Sequence, residues 1–246
     1  MLGMAPTRRI LASSGGFVST GLWGVMRPGG IMRRALELTG RQRPRVCFVL
    51  TASGDDPAYL ATMYSAMSEV GCDVDHLALF PQPNRRPQEA LSAADVVWVG
   101  GGSVANLLAL WHLHGVDEAM HDAWERGAVL AGVSAGSICW HVGGPTDSFG
   151  IELKLAANGL ALVPYGNAVH YDSEAQRRPL THRLVASGDL PLTFATDDHA
   201  GVLYEGTDPV EVVCDDTTVY PDAAAYRVEA VGGQVIETPL PAGPIP

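Results

Sequence analysis

The sequence predicts an α/β fold, a mostly parallel sheet flanked by helices and followed by a β-rich C-terminal portion. Two patterns carry that reading. Short apolar runs that empty into small-residue loops alternate with amphipathic stretches at helical spacing, and after about Leu192 short strand-like pieces separated by turn residues take over. Size adds a third observation. A chain of 246 residues, 47% hydrophobic and 17% charged, can bury a substantial core and lies near the upper size of one domain, so a single domain over 1–246 is expected.

Taken in order, Arg9–Ala12 reads as a buried strand that empties into Ser13-Ser14-Gly15-Gly16. Val46–Leu50 likewise leads into Thr51-Ala52-Ser53-Gly54-Asp55-Asp56, and Val96–Val99 into Gly100-Gly101-Gly102-Ser103. Helix-spaced apolar residues fill Tyr59–Val70, Val104–Leu113 and Val116–Arg126. Strands joined by helical crossovers run parallel, and ligands in such sheets bind beyond the carboxyl ends of the strands. The polar loops are therefore expected on one rim. Gly201–Tyr204, Val210–Cys214, Ala225–Ala230 and Val235–Thr238 read as the later strands, a β-rich edge or cap. Residues 239–246, dense in Pro and Gly, read as an extended, loosely held tail.

Composition excludes several functions. A net charge of -11 and the lack of a basic stripe argue against nucleic acid. No segment is apolar for long enough to cross a bilayer, and Met1–Thr7 lacks the basic and apolar regions of a leader, so a cytoplasmic protein without a membrane partner is expected. Cys47, Cys72, Cys139 and Cys214 are scattered without a Cys-x-x-Cys pair, so neither a disulfide framework nor a zinc site is expected.

The chemistry concentrates in Ala128–Trp140, a buried-strand pattern running into small residues and a helix start. It contains Gly132-x-Ser134-x-Gly136, the spacing of a nucleophile elbow, in which small neighbours let strand and helix approach and a strained turn presents the serine hydroxyl. The same pattern also suits a serine that merely caps a helix. As a nucleophile, Ser134 would sit at a helix N-terminus that favours developing negative charge, with the Ala135 N–H as an oxyanion donor. A second donor is expected from the Gly100-Gly101-Gly102 run, which has neither Walker A nor G-x-G-x-x-G spacing.

A serine nucleophile needs a base. Of the eight histidines, His112, His114 and His121 fall in or beside a helix, His76 precedes a strand, and His141 belongs to the elbow helix. His170 follows an apolar stretch and opens the polar loop Tyr171-Asp172-Ser173-Glu174; His199, in Asp197-Asp198-His199, competes with it. For the carboxylate that orients the base, Asp147 in the turn Gly143–Gly150 is the first candidate, with Asp172, Glu174 and Asp197 as alternatives.

Asp95-Val-Val-Trp-Val-Gly-Gly-Gly-Ser103 followed by an Asn/Leu-rich helix, then Gly-Val-Ser134-Ala-Gly-Ser, resembles the peptidase E or S51 serine peptidases, which include the aspartyl dipeptidases and cyanophycinases. Supporting matches are Thr51–Asp56 and the His170-Tyr-Asp loop with Gln176-Arg177, and the likeness runs from the first strand to about His199. The resemblance implies a flavodoxin-like sheet related to the class I glutamine amidotransferases. It further implies Ser134 as nucleophile, His170 as base, Asp147 as acidic partner, and Gly101 or Gly102 beside Ala135 in the oxyanion hole. Ser103 replaces the usual Asn after the triple Gly and is expected, with Arg177, to contact substrate, the arginine through a substrate carboxylate. Ala175 stands about where acid-specific dipeptidases are expected to offer a basic side chain.

The expected activity is hydrolysis of short peptides, of dipeptidase or aminoacyl-exopeptidase type, through an acyl-enzyme and without metal or organic cofactor. Family resemblance alone suggests a homodimer, and Trp98, Trp111 and Trp124 suit either the core or a dimer surface. An α/β-hydrolase esterase would place its base nearer the C-terminus, at His199. An amidotransferase-like enzyme would need a thiol at the elbow, and a non-catalytic small-molecule sensor would keep the fold without turnover.

Overall fold

A computed structural model describes residues 6–245; Met1–Ala5 of the opening and Pro246 of the expected tail lie outside the described residues. The chain begins with β1 (Arg9–Ser13), a hairpin of β2 (Phe17–Ser19) and β3 (Met26–Pro28), then α1 (Gly30–Glu37). It continues through β4 (Arg45–Val49), α2 (Pro57–Met67), β5 (Asp73–Leu77), α3 (Pro87–Ser92) and β6 (Val96–Val99). Two consecutive helices, α4 (Val104–His114) and α5 (Val116–Glu125), lead to β7 (Val129–Val133) and the short α6 (Ala135–Ile138). Next come β8 (Gly144–Thr146), β9 (Lys154–Ala156), β10 (Gly166–Ala168) and α7 (Arg177–Ser187). The strands β11 (Thr193–Thr196), β12 (Ala200–Glu205), β13 (Asp208–Cys214), β14 (Ala225–Val231), β15 (Gln234–Leu240) and β16 (Gly243–Pro244) complete it.

The main sheet has the order β16-β13-β12-β1-β7-β6-β4-β5. From β5 to β1 every neighbour is parallel, whereas β12, β13 and β16 are added antiparallel. Parallel strands covered on both faces read as unbroken apolar runs, and all four residues of β6 are buried. Alternation still assigns the faces: Ile10, Cys47, Val97 and Val99 pack with Leu107 and Trp111 of α4, while Leu11, Phe48 and Trp98 pack with Ile31 and Met32 of α1. Trp98, Trp111 and Trp124 are thus core residues. Each such large apolar side chain contributes roughly 1.5–3 kcal/mol by its burial.

Three features depart from the sequence reading. The β-rich portion is divided, since β12 and β13 widen the main sheet whereas β14 and β15 join β10 and β11 in a second, four-stranded sheet. Residues 239–245 are not loosely held: Pro239 and Leu240 pair with Tyr226 and Ala225, Gly243 and Pro244 pair with β13, and Ile245 N–H donates to the Val210 carbonyl. Proline and glycine are tolerated there because an edge strand needs only half of its backbone groups paired. His76 lies inside β5 rather than before a strand, bonded to the Tyr64 hydroxyl.

Each main-sheet strand from β4 to β7 points its carboxyl end at one rim, and β1 ends there too. Helix α2 is capped at that rim by Asp56, whose carboxylate accepts from Ala58 N–H, with Pro57 at the first helical position. Close contact between β7 and α6 needs residues without side chains. A Cβ on Gly132 would lie 2.3 Å from the Gly136 carbonyl oxygen, and one on Gly136 would lie 2.2 Å from that of Val99.

Gly136→Ala is therefore expected to push α6 off β6 and destabilise the protein by about 1–3 kcal/mol, read as a lowered urea midpoint. An unchanged midpoint would mean that the elbow does not depend on this contact.

Candidate active site

Strand β7 passes directly into Ser134, whose backbone takes φ 57° and ψ -112°. A positive φ at a non-glycine residue costs of order 1–3 kcal/mol and persists only where neighbours enforce it. Here the Ser134 N–H donates to the Ser13 carbonyl at 3.0 Å, and the Ser134 carbonyl accepts from Ser137 and Ile138 N–H at 2.8 and 3.0 Å. The strain is what turns the side chain out of the sheet at the first turn of α6. Gly101 packs directly against it, since a Cβ there would lie 3.3 Å from Ser134 Cβ and 3.9 Å from Oγ. Gly102 turns the chain with φ 133°, and Ser103 N–H is held by the Ala52 carbonyl. Thr51–Ser53 therefore buttresses the glycine run from behind. Ala135 N–H opens α6 beside the same serine.

His170 comes from the segment after β10 and also has a positive φ, 52°. Its N–H donates to Ser14 Oγ at 3.0 Å, and its Nδ1 lies 2.5 Å from Asp198 Oδ1. The hydrogen bond from His170 holds the Asp198 carboxyl below its ordinary value against the opposing effect of burial. An imidazole that donates Nδ1–H to a carboxylate keeps Nε2 as the basic nitrogen. Ser134 and His170 are thus tethered to consecutive residues of one chain, Ser13 and Ser14. Ser134 Oγ and His170 Nε2 are not hydrogen-bonded to each other; such bonds are commonly long in a free enzyme and tighten around substrate.

The carboxylate in contact with His170 differs from the one the sequence reading put first. Asp147 is exposed at a turn where its carbonyl accepts from Gly150 N–H, and Nδ1 of His170 is already taken by Asp198. The alternatives have other partners: Asp172 accepts from Asp198 N–H, Glu174 pairs with Arg177, and Asp197 accepts from the Tyr226 hydroxyl. Asp198 sits 28 residues from His170 in the sequence, and only the pairing of β11 beside β10 brings them together. The one available signal was that Asp197-Asp198-His199 follows an apolar strand and so ends at the same rim.

Two expected substrate contacts also have structural duties. Ser103 Oγ accepts from Asn106 N–H as the N-cap of α4. Arg177 is buried at the start of α7, donating to the Pro145 carbonyl and to Glu174, so it fastens α7 to β8 rather than facing solvent. His141 is fully buried on the elbow side, bonded to the Ser137 carbonyl and the Tyr204 hydroxyl, and burial lowers its pKa to about 4.

A cleft of about 560 Å³ lies between Asp147, Ile151 and Leu153 on one side and Glu174, Ala175 and Gln176 on the other. Next to Asp147, Ser148 Oγ accepts from Ala105 N–H of α4 at 3.5 Å. A groove of similar size, about 570 Å³, holds Arg41, Arg43, Arg45 and Arg126, but it lies at the amino ends of β4, β6 and β7, away from Ser134. Among the described residues no helix is long and apolar enough to cross a membrane.

The sequence profile of peptidase family S51 matches residues 22–212. The uncharacterized peptidase YgaJ of Bacillus subtilis (strain 168) is 35% identical over 236 residues, covering 95% of this chain and 97% of that protein. Peptidase E of Streptomyces coelicolor is 31% identical over 149 residues, 58% of each chain. Among solved structures, a peptidase from an acI-B1 Actinobacterium superposes with a TM-score of 0.66 over 98% of this chain and 96% of its own. At 15% identity, that likeness concerns the fold alone, a flavodoxin-like sheet flanked by helices.

Beside the His170 partner, Asp197 is buried, one oxygen bonded to Tyr226 and the other without a partner. Burial raises its pKa from 3.8 to about 6, with Asp172 adding to the rise. The folded protein thus binds this proton more tightly than the unfolded chain, and stability falls as pH rises from about 4 to about 6. Asp197→Asn removes that cost. Its advantage in thermal midpoint over wild type is expected to be small at pH 4 and to grow to a plateau above pH 6; an advantage independent of pH would contradict the assignment.

Proposed function

The chain belongs to peptidase family S51 and is a serine-type peptidase, and from that premise we propose that it hydrolyses short peptides through Ser134, His170 and Asp198. The observation that carries the proposal is the common tether. Ser134 and His170 hang from Ser13 and Ser14, and the imidazole is fixed in the needed tautomer by Asp198. In the reaction His170 Nε2 takes the Ser134 proton as Oγ attacks the carbonyl carbon of the scissile bond. Ala135 N–H and an N–H of the Gly101-Gly102 pair hold the tetrahedral oxyanion. His170 then protonates the departing amine, leaving an acyl-enzyme, and water activated by the same imidazole releases the acid. Asp198 stabilises the imidazolium throughout.

The cleft lined by Asp147 and Ala175 supports small peptides with neutral or basic residues over acidic ones. Asp147 places an exposed carboxylate on it, Ala175 offers no charge, and Glu174 and Arg177 are paired with each other, the arginine also donating to the Pro145 carbonyl. An aspartyl side chain there would meet like charge.

A panel of Asp-X, neutral and basic dipeptides tests both points. Ser134→Ala and His170→Ala are each expected to lower kcat/KM by about 10³-fold or more, and Asp198→Asn by roughly 10²- to 10⁴-fold, whereas Asp147→Asn stays within about 3-fold. Full activity in Ser134→Ala, or a loss in Asp147→Asn with none in Asp198→Asn, would overturn the assignment.

A further inference from the structure

A second imidazole–carboxylate pair stands on the same rim. His199 Nδ1 lies 3.1 Å from Asp215 Oδ2, and the Asp215 carboxylate, with no exposed side-chain surface, also accepts from Gly16 N–H at 2.9 Å and Ile31 N–H at 3.2 Å. The ring stacks on Tyr220 with centroids 3.5 Å apart and planes 13° from parallel. Its backbone is again strained, at φ 67°. Even so, the side chain keeps 28% of its surface exposed, and Nε2 is left without a hydrogen bond among the described residues. A buried carboxylate is costly unless it is paired, and a packed neutral residue would serve structure better. Such an arrangement is more economically explained by a ligand for Nε2.

Position indicates which ligand. His199 N–H donates to the Ser14 carbonyl, so the residue that holds His170 by its hydroxyl holds His199 by its backbone. In the sheet Ser13 lies between Val133 and Gly201, which sets His199 two strand spacings from Ser134, about 10 Å. That distance is spanned by roughly three extended residues. Asp147 borders the 560 Å³ cleft with an exposed carboxylate, which repels a peptide carboxylate and attracts an amino group. Around His199, Asp198 and Asp215 are each bonded to an imidazole, and Asp216 is satisfied by Thr218 N–H and Oγ1.

We propose that His199, held by Asp215, binds the free C-terminal carboxylate of the substrate and so restricts cleavage to peptides that end one or two residues beyond the scissile bond. The proposal rests on Ser134 being the nucleophile. With a proton on Nε2, one positive ring lies between two anions, the buried Asp215 and the arriving carboxylate, in a charge-assisted hydrogen bond. His199 is then a substrate-binding residue and takes no proton from Ser134.

The test compares di- and tripeptides with free and amidated C-termini. Wild type is expected to show a KM about 10- to 100-fold higher for the amide, with similar kcat. His199→Asn keeps a donor for Asp215 and a residue tolerant of positive φ. In that variant KM for the free acid should rise to the amide value, with kcat within about 3-fold and the amide kinetics unchanged. Equal KM for acid and amide in wild type overturns the proposal without any variant. So does a His199→Asn effect that is the same on both substrates, or a collapse of kcat that would make His199 the base. Failure of the underlying reading is distinct, because Ser134→Ala would then still cleave acid and amide alike.

Discussion

Three elements of the site depend on two buried residues at the end of β1. The Ser13 carbonyl takes the Ser134 N–H, Ser14 Oγ takes the His170 N–H, and the Ser14 carbonyl takes the His199 N–H. Ser13 Oγ also donates to the Gly132 carbonyl, and Ser14 Oγ to that of Thr196. Side-chain packing and the short link from β11 to β12 also join the second sheet to the first. Packing fixes contact but tolerates small slides, whereas a hydroxyl that must accept one N–H and donate to one carbonyl has a single place to sit. A buried amide left without its acceptor costs about 1–3 kcal/mol, so Ser14 sets the height of the His170 segment above the parallel sheet.

Among the described residues, positive φ outside glycine falls on Ser134, His170 and His199, and otherwise on Asp55 and Ala161. The first three hang from the Ser13-Ser14 pair, and each strained residue turns a side chain that a regular strand or helix would have directed into the core. The fold can hold this strain because the surroundings cannot relax: Gly132 and Gly136 lock α6 on β7, and Asp215 with Tyr220 locks the ring of His199. Strain concentrated on residues with partly exposed reactive side chains indicates a site prepared before substrate arrives.

Much of this was legible in the sequence, within a definite limit. Buried parallel strands such as Val96–Val99 and the elbow around Ser134 declare themselves because their signals are local: an unbroken apolar run, then small residues at fixed spacing. His170 was legible as a histidine following an apolar stretch. Its carboxylate was not. Asp147 was favoured by its turn and by the family resemblance, while the observed neighbour of His170, Asp198, is chosen by the parallel pairing of β10 with β11, which leaves no periodic trace. Arg177 was misread for the related reason that a polar segment resembles a loop, although its guanidinium is buried against Pro145 and Glu174. The tail was misread because Pro and Gly mark both free ends and edge strands.

The acids around His170 show how environment assigns roles to chemically identical groups. Asp172, Asp197 and Asp198 lie near one another, and three full charges in a partly buried place would repel strongly. Asp198 receives the imidazole of His170 and is held ionised below its ordinary value. Asp172 receives a backbone N–H, that of Asp198 itself, so its charge steadies the loop carrying its neighbour. Asp197 receives only a tyrosine hydroxyl and is driven by burial toward its neutral form. Two acids whose environments push their pKa values apart mark where charge is wanted. In the proposed reaction it is wanted on the carboxylate that faces Nδ1, because a negative charge there would stabilise the imidazolium formed as Ser134 attacks, whereas the same charge on Asp197 would oppose burial without touching the ring.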